Sequence, residues 1–135
     1  MNNPEIEQVA EQAVNSARSR NQEYVTTEHL LLSMIQYQPF RKVVENFGAE
    51  VEYLEVELEA YLDAQTSIVK KDPDLQPRKT QALERIFNRA NVQVMFTGRR
   101  QLTLLDLYLS IMAETSSHAH YFFLRYGCRK YGFAE

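Results

Sequence analysis

Cysteine occurs once in the 135 residues, at Cys128, so no disulfide can close within the chain and the covalent framework holds nothing in place. A lone thiol also suits a reducing compartment. Glycine and proline are equally scarce, four of each. That disfavours a strand-and-turn architecture and favours helices joined by short loops. The glycines stand at 48, 98, 127 and 132, too scattered for a G-x-x-x-x-G-K-[ST] phosphate cradle, so ATP hydrolysis through such a loop is excluded and no nucleotide cofactor is expected. No eighteen apolar residues run together, and Met1-Asn2-Asn3-Pro4-Glu5 lacks a basic segment followed by an apolar block. The expectation is a soluble, cytoplasmic protein with no membrane partner. A formal charge of -3 leaves no general basic excess, which argues against a nucleic-acid surface.

What is abundant is helix-spaced apolar sequence. With 44% hydrophobic residues in one short chain, a single domain can bury about two thirds of its unfolded surface. The stretch Val25-Thr26-Thr27-Glu28-His29-Leu30-Leu31-Leu32-Ser33-Met34 reads as a helix start, with Thr26 the cap and Glu28 a first-turn carboxylate at the positive helix end. Its leucines surround most of the helix, so several neighbours must cover it. Before it, Asn3 caps and Pro4 opens a helix over about 4 to 20, with Ile6, Val9, Ala10, Ala13, Val14 and Ala17 on one stripe. After it come a short helix with Phe40, Val43, Val44 and Phe47 inward, stopped by Gly48, and a fourth helix marked by Val51, Leu54, Leu58, Tyr61 and Leu62. Gln65 to Lys79 lacks apolar periodicity and reads as a connecting loop. Thr80 caps a fifth helix with Leu83, Ile86, Phe87, Ala90 and Val94 as its stripe. Thr103 begins a sixth; Ala119, Phe122, Phe123 and Tyr126 line a seventh ending at Gly127; Arg129 to Glu135 leaves room for a remnant of an eighth.

The plan occurs twice. Leu102-Thr103-Leu104-Leu105-Asp106-Leu107-Tyr108-Leu109-Ser110-Ile111 repeats the central stretch at a spacing of 77, which also aligns Ala13 with Ala90 and Ala17 with Val94. The expected fold is all-α: two pseudo-symmetric four-helix repeats, one over about 3–64 and one over about 80–135, joined by a linker of about 65–79 and packed into one compact, monomeric domain spanning 1–135. Other candidate chemistry is thin. His118 and His120 are two apart and point to different helix faces, with no ligand partner in register. His29 enters a packed helix and reads as a hydrogen-bonded structural histidine. Cys128 has no nearby base, and the run Glu50, Glu52, Glu55, Glu57, Glu59 has the spacing of a solvated face. No catalytic or metal-binding residue is assigned.

Asn21-Gln22-Glu23-Tyr24-Val25-Thr26-Thr27-Glu28-His29-Leu30-Leu31-Leu32 resembles the signature of the Clp N-terminal domain, the double-repeat helical module of Clp/Hsp100 unfoldases, and within it the ClpA type. Glu84-Arg85-Ile86-Phe87-Asn88-Arg89-Ala90, Gly98-Arg99 before Thr103, and the Tyr121 helix extend the resemblance over nearly the whole chain. It implies a non-catalytic module that recruits the adaptor ClpS, which serves N-degron substrates, or unfolded substrates, for an attached Clp ATPase. An alternative is a free-standing, phage-like copy that sequesters ClpS or modulates ClpAP. The implied ClpS-facing positions are Glu23, Glu28, Thr80, Arg85 and Lys130. Arg89, one turn beyond Arg85, is added on helix geometry. All six are expected to be exposed.

Overall fold

The computed structural model describes residues 3–65, 76–99, 101–115 and 117–126. Seven helices and one two-residue strand pair are seen there: α1 (Pro4–Ser19), β1 (Tyr24–Val25), α2 (Thr27–Gln36), α3 (Gln38–Asn46), α4 (Val51–Asp63), β2 (Arg78–Lys79), α5 (Gln81–Phe96), α6 (Leu104–Met112) and α7 (His118–Tyr126). The fold is all-α, as the composition and periodicity require. The expected eighth helix, with Gly127 and Cys128, lies outside the described residues.

α2 is the hub. From Thr27 to Ile35 every residue is buried, and α1, α3, α4, α6 and α7 all pack on it. A helix apolar on all sides can exist in water only inside such a sheath. Its start is built locally: Thr26 is the cap, and the Nδ1 of His29, three residues on, accepts the Thr26 backbone N–H at 2.9 Å. The other ring nitrogen lies 2.6 Å from the Gln22 amide oxygen. That oxygen can only accept, so the imidazole carries its proton on Nε2. Gln22 in turn donates to the Leu62 carbonyl at 2.7 Å. The histidine therefore ties the cap of α2 to the end of α4, and burial, with Arg20 nearby, lowers its pKa from 6.5 to about 4.

The 77-residue spacing carries into three dimensions. α1 and α5 both have 16 residues and begin at Pro4 and Gln81. Their buried stripes, Ile6, Val9, Ala13, Ala17 and Leu83, Ile86, Ala90, Val94, match position for position. Past each helix end a residue takes a left-handed backbone, Asn21 (φ 55°) and Gly98 (φ 73°), again 77 apart. α6 repeats the capped start of α2, with Thr103 as cap and Asp106 in the place of His29, accepting the Thr103 N–H at 2.8 Å.

The halves are cross-linked through their caps. β1 and β2 pair in parallel, Tyr24 with Arg78 and Val25 with Lys79, and the Thr80 N–H donates to the Val25 carbonyl at 3.2 Å. At the matching place in the other direction, Asn3 Nδ2 donates to the Leu102 carbonyl at 3.1 Å. Each half thus bonds the segment before its first helix to the segment before the other half's second helix. Two expectations need correction. Arg78 and Lys79, read as loop, form β2, because pairing with β1 supplies what their own sequence lacks. Val43 and Phe47, read as inward, are each 40% exposed; only Phe40 and Val44 of α3 are buried. α3 is short and packs against α2 and α4 along a narrow stripe, and Val43 and Phe47 at its edge are only partly covered. Gly48 does supply the left-handed stop (φ 93°).

Candidate docking surface

Three helix starts meet at one shallow cleft of about 220 Å³, lined by Thr26, Thr27 and Glu28 of α2, Thr80 and Ala82 of α5, Ser117 and His118 of α7, and Tyr61 of α4. Side-chain oxygens serve two of these starts, one at α5 and two at α7. Thr80 Oγ1 accepts the Leu83 N–H at 3.2 Å, Ser117 Oγ accepts the His120 N–H at 3.1 Å, and Glu28 Oε2 accepts the Ala119 N–H at 2.8 Å. Glu28 is the exception to the expected exposure: it is only 6% exposed. Its carboxylate reaches across from the first turn of α2 to the N-terminal end of α7, where partial positive charge and a free N–H receive it. Its primary role is therefore internal, holding one half of the molecule against the other. Tyr61 walls the cleft, its ring stacked on His118 at 4.4 Å and its hydroxyl 3.0 Å from His118 Nδ1.

Glu23, Arg85 and Arg89 are not among the residues that line this cleft. Glu23 is half-buried beside β2, 3.4 Å from the exposed Arg78 guanidinium. Arg85 and Arg89 stand one turn apart on α5 and converge on Glu114. Arg85 Nη2 donates to Glu114 Oε2 at 2.6 Å and Arg89 Nη2 to Oε1 at 2.9 Å. Arg89 also donates to the Ser110 carbonyl at 2.8 Å. The hydrogen bond from Arg85 is the main reason that the Glu114 carboxyl is held below the usual carboxylate range, outweighing its desolvation, with Arg89 acting in the same direction. Glu114 was not singled out from the sequence; the signal lies in the spacing of Arg85 and Arg89, which calls for an acceptor between them. Lys130 lies outside the described residues. So the structure places Thr80 and Glu28 at one cleft and joins Arg85 to Arg89 through Glu114, while Glu23 belongs to the neighbouring strand pair.

A second, larger groove of about 460 Å³ runs between α1 and α5, lined by Ile6, Ala10, Phe87, Val94, Met95 and Leu102 with Glu7, Lys79 and Arg99 at its margins. Met95 in its wall is 77% exposed. Among the described residues no group of three or more His, Cys, Asp and Glu could hold a metal ion, and no helix is long and apolar enough to cross a membrane.

The architecture defines a class, an all-α double-repeat domain cross-linked through its helix caps. The sequence model of the Clp repeat (R) N-terminal domain matches residues 1–125, and the chain belongs to that family. It is 30% identical over 118 residues to the "ClpA homolog protein" of Fuscovulum blasticum, a match covering 87% of this chain and 15% of the relative, so the chain spans a small part of that protein's length. Its fold matches the Hsp104 N-terminal domain of Candida albicans with a TM-score of 0.77 at 15% identity, over 94% of this chain and 84% of the other. It also matches a ClpV N-domain in complex with a VipB peptide, TM-score 0.69 at 17% identity, over 91% and 77%.

Proposed function

We propose that this domain is a non-catalytic docking module that receives a ClpS-like adaptor on the edge formed by Glu23, Thr80, Arg85 and Arg89, in the service of a ClpA-type ATPase. The observation that carries the reading is the Arg85–Glu114–Arg89 cluster: two guanidiniums fixed in place yet about half exposed, side by side. Ordered charge at a surface orients a partner and speeds encounter. Glu28 contributes to the cleft that Thr80 lines, and Lys130 belongs to the same proposed surface. In this reading the domain is cytoplasmic and monomeric, and it consists of a first unit over about 3–64, a linker and a second unit from about 80.

The test is a calorimetric titration of the chain with ClpS from its own source. Saturable one-to-one binding is expected. The double variant Glu23→Arg, Arg85→Glu should bind at least about tenfold more weakly while remaining folded and helical, with a lower melting temperature because the buried Glu114 loses a partner. Wild-type strength in that variant would remove this edge as the docking face. A second use is supported by the α1/α5 groove, whose size and mixed lining, apolar side chains among Asn3, Glu7, Lys79, Asn91 and Arg99, suit an extended or helical peptide; the ClpV N-domain related in fold was captured with a peptide. Met95→Asp should abolish capture of an unfolded substrate there and leave adaptor binding intact.

A further inference from the structure

Each half of the molecule carries a shallow cleft between its first two helices. The one between α1 and α2 measures about 200 Å³ and is lined by Gln8, Val9, Gln12, Ser33, Gln36 and Tyr37. The one between α5 and α6 measures about 210 Å³ and includes Arg89, Gln93, Asp106, Leu109 and Ser110. The 77-residue spacing pairs Gln12 with Arg89 and Ser33 with Ser110 across the two. It also pairs Gln8 with Arg85 and Tyr37 with Glu114. The backbone is duplicated, but the ionised triad is not: its counterpart in the first half is Gln8, Gln12 and Tyr37, all neutral.

We propose that Arg85 and Arg89 form a clamp for an aspartate or glutamate side chain of a docked protein, that Glu114 is the positioning residue of this clamp, and that the neutral cleft of the first half takes no partner. The domain then binds one partner copy despite its internal twofold. This rests on the docking reading above and names the chemistry that the partner presents. Glu114 is 4% exposed, while the side chains of Arg85 and Arg89 are 52% and 40% exposed. Each Glu114 oxygen is engaged by a different arginine, so both guanidiniums are restrained from below. A guanidinium has five N–H donors in a rigid fork suited to a carboxylate. Flexible surface arginines lose side-chain freedom when they bind; these two have lost it on folding. Two cations over one buried anion leave a net positive charge facing solvent, and an acidic side chain complements it.

The two roles of Glu114 have opposite signs, which makes the proposal testable. If the arginines act only as bulk charge, Glu114→Gln raises the net charge of the cluster and tightens binding of an acidic partner. If Glu114 positions them, the same change leaves association as fast or faster, speeds dissociation, and weakens affinity about five- to tenfold. The first probe is the capped peptide acetyl-Glu-Asp-Glu-amide against its Gln-Asn-Gln counterpart, titrated into the intact 15N-labelled chain. Saturable shifts are expected at Arg85, Arg89 and Glu114 with the acidic peptide alone, and none at Gln8, Gln12 and Tyr37. Absence of shifts, or equal shifts in the two clefts, overturns the clamp. Arg85→Lys with Arg89→Lys keeps the charge, removes the fork and should weaken binding like Glu114→Gln; thermal unfolding establishes that each variant is folded, and the lysine pair decides the matter should Glu114→Gln not fold. A ClpS titration separates this inference from the docking reading. Shifts with peptide but no adaptor binding leave the clamp standing and sink the adaptor. Adaptor binding that neither variant weakens sinks the clamp and leaves the adaptor.

Discussion

His29 shows how one side chain can make part of the stability depend on pH. Its ring accepts from the Thr26 backbone through Nδ1 and contacts Gln22 through Nε2, a pattern open only to the neutral imidazole. With a folded pKa of about 4 against 6.5 in the unfolded chain, the unfolded state binds more protons between those values. Stability contributed by this group is therefore complete above about pH 6.5 and falls as the pH drops towards 4, by up to about 3 kcal/mol. Urea unfolding at pH 7 and pH 4.5 should show a lower midpoint in acid. The His29 ring signal in NMR should not titrate above pH 5; titration near 6.5 would contradict the buried network. Glu28 makes the complementary point. Replacing it with Ala removes the acceptor for a buried Ala119 N–H and should cost about 1 to 3 kcal/mol. Hydrogen exchange at Ala119 should accelerate well beyond that of its neighbours. Motif reading identified Glu28 as important but placed it at the surface. A first-turn carboxylate is ordinarily solvated, and only the approach of α7, ninety residues downstream, buries it.

At the scale of the elements, caps were the most readable features. Asn3, Thr26, Thr80 and Thr103 all cap the helices expected of them, because a cap is a contact between residues two or three apart and needs no tertiary partner. The two boxes differ in chemistry: His29 serves α2 and Asp106 serves α6. Asp106 accepts the Thr103 N–H and also forms a two-point ion pair with Arg99, at 2.6 and 3.0 Å. Burial alone would raise the Asp106 pKa; the Arg99 and Thr103 hydrogen bonds outweigh it and hold it low. Asp106→Ala should destabilise the chain by about 1 kcal/mol through loss of the cap, lowering the melting temperature by a few degrees. The same change should fray the start of α6 in hydrogen exchange and leave α2 untouched. The edge of α3 and the strand β2 were not readable. Whether Val43 and Phe47 are buried, or Arg78 and Lys79 extended, depends on which element lies alongside.

For the whole molecule, the duplication has an energetic consequence. α2 packs on α6 and α7 of the second half as well as on α1, α3 and α4 of the first, and Leu30, Leu31, Leu32, Met34 and Ile35 are each at most 1% exposed. Phe40 of α3 meets Tyr108 of α6 edge to face at 5.5 Å. A polypeptide of residues 3–65 alone would leave that surface in water, and it should show no cooperative thermal transition. The complete chain should unfold in a single step, with coincident far-UV and tyrosine signals. Two separate transitions would mean that the halves are independent, contrary to the cross-linking of their caps.

The sequence by itself determined the helices, their starts and stops, the inward stripe of most of them, and the doubling of the plan, because each of these follows from contacts within a few residues or from a spacing that can be counted. The tertiary structure decided where charge sits: Glu28 inside, Glu114 beneath two arginines, and one of two equivalent clefts ionised. Those outcomes depend on which segments, distant along the chain, face each other after packing, and solvation of a charge is set by that neighbourhood, which no local pattern encodes.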